Sequence, residues 1–236
     1  DQKKIDETLI KLDGTKQKKR LGANAILSVS LASNKASAVS KKISLYKNIG
    51  REKTLPLPLM NVINGGAHAN NSLRIQEFMI RPDAANSFNE AINLCFLVIQ
   101  KLKILISGKK LPTTLGDEGG FAPSLSNNEE AIEFILEAID KAGLRAGKDI
   151  SICLDVAANE LFKKNKYSIH SKKFISVDQS IKKKEKIINK YKIKSIEDPF
   201  AENDWLSWSK MMKTMNNVQI VGDDLYVTNL ERLKKG

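Results

Sequence analysis

Three short strand-like runs in the second half of the chain each end in a carboxylate. Residues 150–154 deliver Asp155, residues 193–196 deliver Glu197 and then Asp198, and residues 218–221 deliver Asp223 and Asp224 after Gly222. Such runs, bounded by turn residues, read as buried strands, and residues at the carboxyl ends of parallel barrel strands point into a shared mouth. Carboxylates gathered there repel one another unless a cation holds them. An oxygen-only ligand set favours a hard ion, Mg²⁺ first and Mn²⁺ next. The spacings bracket the ~30 residues expected per βα unit if a ~250-residue barrel has eight of them. Asp also caps helices that follow strands, so spacing alone leaves three unrelated caps as a second reading.

Two further segments carry polar groups that a core does not need. The stretch Asn64-Gly65-Gly66-Ala67-His68-Ala69-Asn70-Asn71 is a glycine-containing loop, suited to backbone approach or to closure over a ligand. His68 alone does not separate a catalytic imidazole from an exposed one. Gln76 and Glu77 interrupt the apolar run 75–80, where a charged group needs a partner or a task. Gly116-Asp117-Glu118-Gly119-Gly120 sets two acids among glycines. A carboxyl group there can act as a general acid if neighbouring acids raise its pKa, and a plain acidic turn is the other reading. His170 lies among Ser171, Lys172 and Lys173 and receives no role. The two histidines and two cysteines stand in unrelated contexts, which argues against zinc, and neither a Walker loop nor a GxGxxG is present.

The elements that position these groups follow from patterning. Residues 21–39 predict a helix with an apolar stripe through Leu21, Ala25, Val29, Ala32 and Ala36. Pro56 and Pro58 mark a break, giving domains 1–54 and 55–236. Strands are predicted over 57–63 and 73–80. A helix opened by Ser87 and Glu90 follows, with a stripe of Phe88, Ile92, Cys95, Ile99, Leu102 and Ile106. A second helix opens with Ser126 and Glu129 and stops at Gly143. Helices at 178–190 and 204–215 then alternate with the three acid-ended runs, the rhythm of βαβ units with a parallel sheet.

Composition sets outer limits. The 236 residues carry 39 Lys+Arg against 27 Asp+Glu, a formal charge of +12, and are 42% apolar, an ordinary globular balance. The longest apolar stretch, 94–106, is broken by Gln100, Lys101 and Lys103, so no membrane span is predicted. The charged first dozen residues do not resemble a secretory signal. Cys95 and Cys153 sit in apolar runs, which predicts free thiols in a reducing compartment, the cytoplasm. Lysines cluster at 182, 183, 184, 186, 190, 192 and 194, but Val177, Ile181, Ile188 and Tyr191 run through them at helical spacing. That predicts a solvated helix face, and without interleaved aromatics or arginines no nucleic-acid motif is indicated. The chain begins at Asp1 and stops just after a strand-like run, so it reads as a piece of a longer protein.

Taken together, the segments resemble the enolase (phosphopyruvate hydratase) family. The resemblance rests on Leu12-Asp13-Gly14-Thr15, Leu21-Gly22-Ala23-Asn24-Ala25, the stretch 61–68, Gln76-Glu77-Phe78-Met79 and the stretch 116–123. It continues through Leu154-Asp155-Val156-Ala157-Ala158, Ser195-Ile196-Glu197-Asp198-Pro199-Phe200 and Val221-Gly222-Asp223-Asp224-Leu225, in the family's order. It implies an α/β protein. The fold is the helical end of a small α+β domain, then part of a modified (β/α)8 TIM-like barrel that opens strand–strand–helix–helix. It implies Mg²⁺ held by Asp155, Glu197 and Asp223. It also implies Glu118 as the protonated acid that helps a hydroxyl leave, with Glu77 as a second carboxylate beside it. His68 lies in a closing loop, and Gln76, Glu77, Glu197 and Asp223 face substrate. The implied reaction is the reversible dehydration of 2-phosphoglycerate to phosphoenolpyruvate in glycolysis and gluconeogenesis. The implied protein is a homodimer or larger, cytoplasmic, with a secondary pool at the cell surface or secreted.

The family's base lysine and its phosphate clamps have no counterpart in these residues, so residues 1–236 alone are expected to be inactive and prone to aggregate at unpaired strand edges. Asn159, Leu161, Tyr226 and Leu230 also depart from the family pattern without replacing a ligand. Two alternatives stand beside this reading. One is another member of the same superfamily acting on a different carboxylate. The other is a non-catalytic basic protein that binds RNA or an acidic partner.

Overall fold

The structure, a computed structural model, describes residues 1–50, 54–169 and 173–236, and His170 lies outside the described residues. The chain divides into two compact units, Asp1–Leu55 and Pro56–Gly236. The first is helical: α1 (Gln2–Asp13), α2 (Ala23–Ser40) and α3 (Leu45–Ile49). Helix α1 stops at Gly14, which takes the left-handed conformation (φ 68°) that spares a Cβ clash. Asp13 then accepts from the backbone N–H groups of Leu21 at 2.7 Å and Thr15 at 3.0 Å, closing the turn that leads to α2.

The stripe predicted for α2 is not the buried one. Leu21, Ala25, Val29, Ala32 and Ala36 are exposed, and Ile26 and Ala38 are buried. The inward face is largely polar: Gln2 donates to the Ser30 carbonyl, and Asn48 donates to Asn34 Oδ1. Amide side chains, rather than an apolar seam, tie α1 and α3 to α2.

The second unit runs β1 (Met60–Asn64), β2 (Glu77–Arg81), α4 (Phe88–Gly108), α5 (Asn128–Lys141) and β3 (Ser151–Asp155). A small hairpin, β4 (Phe162–Lys163) with β5 (Lys166–Tyr167), precedes α6 (Val177–Tyr191), β6 (Ser195–Glu197), α7 (Trp205–Thr214), β7 (Gln219–Val221) and α8 (Leu230–Lys235). Strands β1, β2 and β3 pair antiparallel, and β3, β6 and β7 pair parallel, in the order β1-β2-β3-β6-β7. The predicted strand–strand–helix–helix opening is present, as is the parallel set of acid-ended strands. Among the described residues the sheet is an open part of a barrel.

Alternation along the strands separates two faces. Phe78, Ile80, Ile152, Leu154 and Ile196 are buried in one core with Leu102, Ile135 and Ile188 of the helices. Glu77, Asp155 and Glu197 belong to the opposite face. Strand β2 begins at Glu77 rather than at residue 73, because the preceding backbone is used elsewhere. Leu73 and Gln76 carbonyls accept from Gly66 and Gly65, and the Arg74 and Ile75 N–H groups donate to Asn128 Oδ1.

Four local expectations shift. The second cap is Asn127, which accepts from the Glu130 N–H, while Glu130 reaches back to Ser126 N; the box sits one residue later than predicted. On α4 the buried line is Ala91, Cys95, Val98, Leu102 and Ile106, with Phe88 exposed. By length and composition α4 is also apolar enough to cross a membrane, contrary to the sequence reading, but this line packs into the core. Lys184, predicted on the solvated face of α6, is buried. Its Nζ donates to Ser180 Oγ at 2.6 Å and lies 4.2 Å from the Phe200 ring centre. The other described lysines of the cluster are exposed.

Candidate active site

Strand register builds the site. Asn64 pairs with Glu77, Glu77 with Asp155, Asp155 with Glu197 and Glu197 with Val221, so one row crosses all five strands at one end of the sheet. Residues paired in register point to the same side, and this row therefore sets three carboxyl groups side by side. Two loops complete it. The backbone after β1 makes a 3-10 turn, Gly66–His68, and Gly120–Phe121 pairs back onto β1 through Phe121 N to the Val62 carbonyl at 2.9 Å. Gly116 passes so close that a Cβ there would lie 2.6 Å from Asn64 Cβ and 2.7 Å from the His68 carbonyl oxygen. Only glycine lets the Glu118 loop approach the His68 loop in this way.

Within this frame His68 Nδ1 lies 3.9 Å from Glu77 Oε1 and 3.8 Å from Glu118 Oε1. Carboxyl oxygens of Glu77 and Glu118 and a ring nitrogen of His68 lie within 4.8 Å of one another. Burial, then the neighbouring Glu118 and Asp155, push Glu77 up to about 9. Glu77 is the more buried of the two acids, its side chain 14% exposed against 48% for Glu118.

Asp155 is buried, and burial followed by the charge of Glu197 pushes it up to about 8. Its oxygens accept from Ala157 N at 3.0 Å and from Gln76 Nε2 at 3.2 Å. Glu197 rises to about 7, by burial and then by the charges of Asp198, Asp223 and Asp224. Oxygens of Asp155, Glu197 and Asp198 lie within 4.8 Å of one another, a set able to hold a metal ion. Asp223 stands apart from that set, exposed at the end of β7.

Asp198 is the member that sequence reasoning left without a role. Alternation would send it to the face opposite Glu197, but its φ of 39° turns it back. Its two oxygens accept from Asp224 N at 2.8 Å and Leu225 N at 3.3 Å. Both are thereby occupied by backbone, and Asp198 holds the turn that carries Asp223. The one available signal was its place directly after Glu197.

The donor set fits a hard divalent cation. It is oxygen only, and burial together with neighbouring carboxylates raises Asp155, Glu197 and Asp198, the signature of uncompensated negative charge. A cleft of about 740 Å³ opens beside it, lined in part by Gly66, Asn71, Gln76, Asn128 and Ala157. Gln76 and Ala157, both bonded to Asp155, form the wall next to the carboxylates.

Residues 52–236 match the family model described as enolase, C-terminal TIM barrel domain, and residues 1–49 match enolase, N-terminal domain. The chain is 69% identical over 238 residues to the curated "Enolase" of Pelagibacter ubique (strain HTCC1062). That match covers 100% of this chain and 57% of the relative, so the chain spans little more than half of the relative's length. Domain order, strand order and sequence agree: this chain belongs to the enolase family.

Proposed function

We propose that the protein carrying this chain catalyses the Mg²⁺-dependent, reversible dehydration of 2-phosphoglycerate to phosphoenolpyruvate, a hydro-lyase step of glycolysis and gluconeogenesis. One observation carries the reading: Glu77, Asp155 and Glu197 stand side by side on one strand row, and loops bring His68 and Glu118 up to Glu77. Asp155, Glu197 and Asp223 are the proposed Mg²⁺ ligands. When bound, the cation offsets the extra negative charge that develops on the substrate carboxylate as its carbon-2 proton leaves.

The chain's own residues supply the acid half. Glu77, pushed up to about 9 chiefly by burial, stands beside Glu118, which is the more exposed of the two and is the proposed acid for the departing hydroxyl. His68, within 4 Å of both, orients the pair and closes over substrate. Gln76 fixes one oxygen of Asp155 and contacts substrate from the cleft wall. Removal of the carbon-2 proton is assigned to none of these residues. We place the protein in the cytoplasm, supported by two buried free thiols, Cys95 and Cys153, that burial pushes up to about 11 and 12. It acts there as a homodimer or larger assembly, as family membership implies.

The test is phosphoenolpyruvate formation followed by ultraviolet absorbance. The full gene product is expected to turn over with Mg²⁺, and Asp155→Asn to abolish turnover. Residues 1–236 alone are expected to bind the cation and yield no product. Undiminished turnover by Asp155→Asn would overturn the proposal.

A further inference from the structure

Asn159 lies in the 3-10 turn after β3, and both polar atoms of its amide are engaged. Its Oδ1 accepts from Glu202 N at 2.8 Å, and its Nδ2 donates to Asp224 Oδ2 at 3.0 Å. The two bonds fix the amide's orientation, because only the oxygen accepts from an N–H and only the nitrogen donates to a carboxylate. One side chain thus joins the segments that follow β3, β6 and β7. Asp224 is held from two directions, its backbone by Asp198 and its side chain by Asn159. Asp223 precedes it on an exposed rim, and among the described residues its side chain makes no hydrogen bond.

We propose that Asn159 is a positioning residue for the third cation ligand: by fixing Asp224 it sets where Asp223 can meet Asp155 and Glu197. The inference rests on the reading that these three residues hold the cation. Alanine at 159 removes both bonds without changing charge. Aspartate keeps the acceptor for Glu202 N but sets a second carboxylate against Asp224. The exchanged pair N159D/D224N keeps the bond accepted from Glu202 N, rebuilds the 159–224 bond with donor and acceptor reversed, and restores the net charge.

The experiment is calorimetric titration of the full gene product with MgCl₂. Wild type and Asp155→Asn come first. If wild type binds no Mg²⁺, or Asp155→Asn binds it equally well, the reading of the site falls and the inference with it. Where that reading holds, Asn159→Ala is expected to weaken Mg²⁺ about tenfold, the low end for loss of an outer partner at a metal site. The exchanged pair is expected to return to wild-type affinity. Wild-type affinity in Asn159→Ala, or an exchanged pair no tighter than Asn159→Ala, would overturn the positioning role while leaving the site intact. Should Asn159→Ala not fold, N159D against N159D/D224N decides. The exchanged pair must bind more tightly although N159D carries one more negative charge, and the reverse order overturns the proposal.

Discussion

Asp155 and Glu197 keep protons near neutrality that their unfolded counterparts lose around pH 4, since burial and mutual repulsion raise them to about 8 and about 7. A carboxyl group raised on folding binds its proton more tightly in the native state, so metal-free stability falls as pH rises from about 5 to about 8. Thermal melts in a chelating buffer should show that decline, and Asp155→Asn should flatten it. A second prediction concerns the proton in the acid pair. Glu77→Gln preserves a hydrogen-bonding group beside Glu118 but removes the titrating proton. Turnover by the full gene product should drop about 10²- to 10⁴-fold, the usual contribution of a positioned acid, with Mg²⁺ affinity little changed. Unaltered turnover would exclude Glu77 from the proton's path. At this scale the sequence displayed the acids but not their division of labour. Which of Glu77 and Glu118 is more buried, and which way Asp198 turns, are set by loops that meet only in three dimensions.

Elements decide whether these side chains converge. The row from Asn64 to Val221 exists because β2, β3, β6 and β7 pair without a slip, and a shift of one residue would turn Glu77 or Glu197 to the other face. Leu154, 1% exposed, anchors β3 from the core side. Leu154→Ala should lower unfolding stability by about 2–5 kcal/mol and weaken Mg²⁺ with it, because the cavity loosens the strand that carries Asp155. Denaturant titration and calorimetry read the two effects separately.

Helix α6 gives a different prediction. Full burial lowers the pKa of Lys184, countered only in part by Asp204. The unfolded chain binds that proton below about pH 10.4 while the native state does so less readily, so stability rises with pH toward that value. Lys184→Met, similar in length and apolar, should stabilise the protein near neutrality and remove this part of the pH dependence. Equal slopes for variant and wild type would contradict the account.

The strand–helix rhythm was legible because apolar runs of four or five residues alternate with 3.6-residue periodicity. The inward face of α2 and the burial of Lys184 on α6 were not, since amide pairs and a buried amine occupy positions where periodicity expects apolar side chains; the stripe of Ile181 and Ile188 on α6 is buried as predicted.

Across the whole chain the formal charge is +12, while the acidic row lies at one end of an open sheet. The exposed lysines of α6 contribute to that excess. The class of fold and the carboxylates at the strand ends could be read from spacing and resemblance, whereas the ties that bind the strand ends together could not. Asp198 and Asn159 act on backbone groups far away in sequence, and no local pattern announces such bonds.

The most direct test of the central claim is to count protons as Mg²⁺ binds. Calorimetric titration of the full gene product at about pH 7 in buffers of different ionisation enthalpy gives the number released. The account predicts saturable binding with net proton release, lost together in Asp155→Asn and Glu197→Gln. Binding that releases no protons, or that survives both substitutions, would contradict it.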